Sequence, residues 1–301
     1  MPAPDRLKQL IIIFYISLTS LSGAEIFVNQ LGFRNSDPKV LFVNQQADSF
    51  EIYNATNQSL VFENHLEVFS INDPGTGMDL YRGDFSELTT PGYYYCKTSN
   101  GDSSFQFIIS DTVYNSLYRK SFKGFYFQRC GFDLIGPTVG NYYHSRCHIY
   151  DGNFHSSTGS TGFSLARGGW HDAGDYGKYV VNAGITLGTL LMAYEYFTAS
   201  FSQDDLNIAE SGNGIPDLLD EIRFELEWLL KMQATDGAVY HKLTREQFAP
   251  FIMPQNDNGI RYIYEPSTTA TGDFAAVMAR AARIYQPLDS SFSSMCLNAS
   301  E

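Results

Sequence analysis

The sequence predicts a multidomain protein, an all-β sandwich followed by an all-α domain. Three observations predict it. The chain has 301 residues, and a domain takes roughly 150 on the usual scale. Short β-branched and aromatic runs fill positions 25–108, whereas apolar residues recur at helical spacing beyond Asp111. Hydrophobic residues make up 44% and aromatic ones 15% of the chain, enough to bury a core and too many for a disordered chain.

The N-terminal residues read as an address. Arg6 and Lys8 precede an apolar run at 10–18, and small residues stand at Ser22 and Ala24. This is the pattern of a secretory signal peptide, with cleavage expected after Ala24 and a secreted or periplasmic mature protein. The run is too short to span a bilayer as a permanent anchor.

Residues 25–108 read as the sandwich. Strands are expected at 25–28, 40–43, 50–53, 59–62, 93–96 and 104–109. Turn signals separate them: NSDP at 35–38, DPGTG at 73–77, PG at 91–92 and NG at 100–101. The Cys…Trp…Cys of antibody domains is missing, so the architecture alone is Ig-like. The helical domain is expected over 111–301, with Asp111 as N-cap of the first helix and further helices near 177–199, 216–234 and 270–285. Between them, 130–175 is irregular and rich in Gly, Ser, His and Asn.

Charge narrows the function classes. Asp and Glu number 33 against 20 Lys and Arg, a formal charge of −13. Such a surface repels phosphate backbones and anionic lipid, so nucleic acid and membrane are not expected partners. A monomer is expected. Four cysteines, at 96, 130, 147 and 296, are too few and scattered for a disulfide framework.

The stretch GGWHDAGDYGKYV at 168–180 is the most informative. Asp172 and Asp175 stand three apart in a glycine-rich segment just before a helix. Glycines let backbone and carboxylates approach a ligand, and this spacing can aim both carboxylates at one water. Helix capping is the alternative, because Asp favours the positive end of a helix. Trp170 and Tyr176 flank the pair and could stack on sugar faces or pack in the core.

This block resembles the signature of glycoside hydrolase family 9, inverting cellulases with an (α/α)6 toroid, and in particular the subgroup with an N-terminal Ig-like domain. NQLGF at 29–33 and GDFS at 83–86 are similar to segments of that Ig-like domain. FYFQRCG at 125–131, GNGIPDLLDE at 212–221, VYHKLT at 239–244 and FAAVMA at 274–279 resemble the catalytic domain. The likeness runs from about residue 25 to 301. It implies that Asp175 is the general base activating water, with Asp172 orienting it, and that the product is inverted. The acid should be a glutamate with a raised pKa, about 6.5–9.5 Å from the base. No segment matches its motif, and Glu246, Glu265 and Glu301 are not given the role.

The resemblance also bears on metals. Cys130, Cys147, His148 and His171 offer two thiolates and two imidazoles, suited to tetrahedral zinc. Their spacing matches no short zinc-finger pattern, and inert buried cysteines or a Cys130–Cys147 disulfide are the competitors. The Ig-bearing subgroup holds such a zinc near its active site, which implies a structural zinc pinning the catalytic loop. Glu210, Asn213, Asp217, Asp220 and Glu221 gather hard oxygen donors of the kind calcium takes; a helix start with acids on its dipole is the alternative.

The implied function is a secreted inverting β-glycosidase cutting β-1,4-glucan or cello-oligosaccharides, endoglucanase-like, with exo action as a variant. The competing class is a catalytically inactive fragment or carbohydrate-binding protein. A leader and a sandwich leave about 190 residues for the toroid. Twelve helices of ordinary length take about 140 before any connection is counted. The chain is therefore expected to be the front part of a larger enzyme, its toroid incomplete, holding the base without the acid.

Overall fold

Eight short strands form two antiparallel sheets at the start of the chain. They are β1 (Ile26–Phe27), β2 (Val40–Val43), β3 (Ser49–Asn54), β4 (Leu60–His65), β5 (Glu67–Ser70), β6 (Leu80–Asp84), β7 (Gly92–Thr98) and β8 (Phe107–Ile109). One sheet runs β1-β2-β6-β5 and the other β4-β3-β7-β8. This is a computed structural model, and it describes residues 25–301; the leader expected at 1–24 lies outside them. Period-two alternation drives the sandwich. Phe50 and Ile52 of β3 and Tyr94 and Cys96 of β7 point inward to meet Leu41, Val43, Phe85 and Phe107. Gly83 is required where β6 crosses this core, since a Cβ there would stand 2.5 Å from Cε1 of Phe50.

Strands β5 and β6 were absent from the expected set. Glu67, Val68 and Phe69 of β5 are all exposed, so no alternation marks it. Asp111 caps no helix. Its carboxylate accepts hydrogen bonds from the Asn35 amide at 3.1 Å and side chain at 3.0 Å, and the first helix begins at Asn115.

The chain divides into two units, Met1–Asn115 and Ser116–Glu301. In the second, α1 (Asn115–Phe127) is followed by β9 (Asn153–Phe154), β10 (Lys178–Tyr179), α2 (Val180–Tyr196), α3 (Thr198–Phe201) and α4 (Asp217–Leu229). Then come β11 (Lys242–Thr244), β12 (Tyr262–Ile263), α5 (Thr268–Tyr285) and α6 (Ser290–Ser300). Leu187 and Leu191 of α2, Ile222 and Leu226 of α4, Met278 and Tyr285 of α5 and Phe292 of α6 share one apolar core. Two caps start the last helices. Ser267 accepts from the Ala270 amide at 3.2 Å, and Asp289 accepts from the Phe292 amide at 3.0 Å. This unit is not purely helical: a sheet of order β10-β11-β12-β9 lies in it. Its strands are two or three residues long, too short to carry a periodic signal. Among the described residues, no helix is long and apolar enough to cross a membrane.

Candidate active site and metal centre

The segment after α1 pairs with the glycine-rich stretch before β10. Arg129 and Trp170 form an antiparallel bridge, with the Cys130 amide donating to Gly169 O at 2.7 Å and the His171 amide to Gln128 O at 2.8 Å. Gly169 permits this approach. Its φ is +74°, and a Cβ would stand 2.6 Å from Cγ of Trp228. Cys130 and His171 are thereby brought side by side, and the chain leaves His171 straight into Asp172.

Residues 172–177 fold back on themselves, the Asp172 amide donating to Gly177 O at 2.8 Å. Tyr176 turns the chain with φ +58°. Asp172 is exposed and Asp175 half-buried. Each carboxylate is held by a neutral donor. Asn182 of α2 donates to Oδ1 of Asp172 at 2.8 Å, and the Tyr179 hydroxyl donates to Oδ2 of Asp175 at 2.8 Å. Burial, and then Asp175 beside it, push the Tyr179 phenol up to about 12, so it keeps its proton and donates. Neither aspartate caps α2, whose N-cap is Tyr179 with no side-chain bond. Asp172, Tyr179 and Asn182 line a cavity of about 180 Å³.

Trp170 is buried, its indole Nε1 donating to Glu221 at 2.7 Å. Tyr176 packs its ring 5.0 Å from His171 and 5.8 Å from His148. Trp170 thus packs in the interior, while Tyr176 stays half-buried beside the two imidazoles. Glu225, in the wall of the same cavity, was not singled out from sequence. It is buried, accepts the Trp170 amide at 2.5 Å, and burial raises its pKa to about 8.

Cys130, Cys147, His148 and His171 place their ligand atoms within 4.8 Å of one another. Nδ1 of His148 lies 3.8 Å from Sγ of Cys130 and 3.3 Å from Nε2 of His171, which is 3.8 Å from Sγ of Cys147. Ordinary zinc bond lengths give tetrahedral edges of about 3.3 Å between nitrogens and ~3.6 Å between sulfur and nitrogen. The donor set and its spacing therefore fit a tetrahedral soft-ligand ion. All four cysteines are free, so no disulfide joins Cys130 to Cys147. Burial raises the Cys130 thiol, but Cys147, Lys178 and the two imidazoles outweigh it and hold the thiol well below its ordinary value. Burial keeps His171 below the usual imidazole range, in the neutral form a metal takes.

The acidic residues near α4 take a different arrangement. Arg129 is fully buried; Glu210 lies 2.8 Å from its Nη1 and Glu221 3.0 Å from its Nη2. Its guanidinium also stacks 4.3 Å from the Phe224 ring. Asp217 accepts from the Leu206 amide and the Ser211 hydroxyl, and Asp220 from Asn213. Glu221 is committed to Arg129 and Trp170. Among the described residues, the Cys–His cluster is the one group of three or more such side chains that converges. Arg129 is the cation between Glu210 and Glu221, while Oε2 of Glu210, Oδ1 of Asp217 and Oδ2 of Asp220 are buried without a hydrogen-bond partner.

Residues 114–301 match the family described as glycosyl hydrolase family 9, and residues 22–103 match the cellulase N-terminal Ig-like domain. Endoglucanase D of Acetivibrio thermocellus is 34% identical over 281 residues, covering 92% of this chain and 44% of that enzyme. The crystal structure of a metagenome-derived glycoside hydrolase family 9 endoglucanase superposes with a TM-score of 0.85 at 37% identity, covering 92% of this chain and 53% of that one. A Zn-binding triple mutant of the family 9 endoglucanase J30 superposes at 0.82 with 31% identity, covering 89% and 51%. The chain thus spans about half the length of the relatives it matches.

Proposed function

The chain belongs to glycosyl hydrolase family 9, and from that premise we propose that it contributes the water-activating side of a secreted, inverting endo-β-1,4-glucanase. The observation that carries this reading is the pair Asp172 and Asp175 on one short loop, each with one carboxylate oxygen fixed by a neutral donor. Asp175 removes the proton from water as it attacks the anomeric carbon, and Asp172 holds that water by a hydrogen bond. Tyr179 and Asn182 keep both carboxylates pointed without taking their charge. The helices of the second unit are, in this reading, part of an (α/α)6 toroid that carries the sugar cleft.

Inversion needs a proton donor across the sugar from the base. Glu265 is unsuited to it, because its hydrogen bond from Ser157 holds it below the usual glutamate range and a general acid needs the opposite shift. Glu225 has the raised pKa but is buried against the Trp170 amide. The acid is a glutamate outside residues 25–301. Cys130, Cys147, His148 and His171 hold a structural zinc; when bound, the ion supplies no chemistry to the sugar and cross-links three segments beside the loop.

The test is hydrolysis of β-cellobiosyl fluoride, whose leaving group needs no proton donor, by the chain and by Asp175→Asn, with the product anomer followed by proton NMR. The expected outcome is release of the α-anomer and a loss of about 10²–10⁴-fold in the variant. Equal rates in the two proteins remove Asp175 from the role. No release by either protein, with retention on β-1,4-glucan, favours the carbohydrate-binding alternative.

A further inference from the structure

His148 has its two ring nitrogens in different company. Nδ1 faces Cys130 and His171, while Nε2 lies 3.2 Å from Oδ2 of Asp257, with the two side chains 2% and 1% exposed. A neutral imidazole carries one N–H, and a buried carboxylate without a proton can only accept. The carboxylate is fixed in turn: its Oδ1 accepts from Nη1 of Arg245 at 2.9 Å and from the Gly259 amide at 3.2 Å. His148 also holds a left-handed backbone, φ +47°, which a side chain anchored at both ring nitrogens helps to maintain.

We propose that Asp257 is the positioning residue of the metal centre: its Oδ2 accepts the hydrogen bond donated by Nε2–H of His148, so that Nδ1 is the ligand atom, and it fastens the 245–261 segment to the metal. His171 differs, presenting Nε2 to the cluster. The inference rests on the zinc reading above. An outer carboxylate of this kind raises the basicity of the ligand and fixes its ring, and losing one weakens metal binding by about 10–100-fold. Asp257 is 109 positions from His148, so the same bond makes a distant loop part of the metal's environment. The Gly259 amide reports on that loop.

The experiment uses the full chain. Zinc affinity is read by competition with a chromogenic chelator for the wild type, Asp257→Ala, Asp257→Asn and, as a control, Asp205→Asn, whose carboxylate pairs with Arg119. Asp257→Ala is expected to bind zinc about 10–100-fold more weakly. Asp257→Asn keeps an acceptor of the same size without the charge and is expected to fall between it and the wild type. The control is expected to match the wild type. Ligand atoms are read from cadmium–nitrogen couplings in the cadmium-substituted, nitrogen-labelled wild type, which needs no variant to fold. Coupling through Nδ1 of His148 and Nε2 of His171 is expected, and coupling through Nε2 of His148 overturns the proposal. Affinities within twofold across all four proteins also overturn it while leaving the zinc reading standing. A wild type that retains neither zinc nor cadmium removes the zinc reading and this inference together.

Discussion

Glu225 is the residue whose ionisation matters most to the wall behind Asp172. Burial holds its carboxyl near 8 against an ordinary 4.5. A raised acid stabilises the fold while both states are protonated, and that contribution is lost as pH climbs from about 4.5 through 8. Glu225→Gln keeps an acceptor for the Trp170 amide and cannot ionise. Its melting temperature should therefore gain on the wild type between pH 5 and pH 8, measured calorimetrically; parallel curves would count against a buried ionisation there. Glu225 was illegible in the sequence because it sits on an ordinary helical stripe, FELEW, where glutamate usually faces water. Asp172 and Asp175 were conspicuous for the opposite reason: they stand in a run of glycines that regular structure does not use. Tyr179 and Asn182 escaped notice because their contacts with the aspartates depend on the turn at Tyr176, which no spacing reveals.

Among the elements, the helices were legible and the small sheet was not. Leu187, Leu190 and Leu191 repeat at helical spacing and are buried, so burial follows periodicity there. Strands β9 to β12 are placed by pairing between distant segments, such as Asn153 with Tyr262, and sequence alone shows one partner at a time. The acidic turn before α4 was only half legible for a related reason. Arg129, 92 positions before Glu221, stands between Glu210 and Glu221, and no spacing announces it. The last helix makes the sharpest prediction at this scale. Asp289 caps α6 and also pairs with Arg223 of α4 at 2.8 Å. Asp289→Ala should cost about 1–2 kcal/mol in urea unfolding. A change below a few tenths would mean that the cap frays in solution.

For the molecule as a whole, metal content is the most direct measurement. Purified chain should carry one zinc, read by plasma mass spectrometry. Stripping the zinc should lower the melting temperature and expose two more thiols to titration, those of Cys130 and Cys147, while Cys96 and Cys296 stay within their separate cores. Two extra thiols without any metal in the starting protein would point to local opening instead. The broad order, strands first and helices after, was readable from texture because each unit builds its own apolar core from nearby segments. The ionic interior was not: Arg129 and Lys178 are fully buried and Arg261 nearly so, and each finds its carboxylate far along the chain.

The bridge between Arg129 and Trp170 carries a consequence in time. It closes a loop of about 40 residues with little regular structure, and closing such a loop costs about 3 kcal/mol of chain entropy. Arg129 is neutralised only when Glu210 and Glu221 arrive from the turn before α4 and from α4 itself. The aspartate pair hangs from this closure through His171, so it is expected to be among the last parts of the second unit to order. In a refolding experiment, protection of the Asp172 amide should lag behind that of α2 and α5. Helices that form from neighbours are ready early; the working loop waits for strangers.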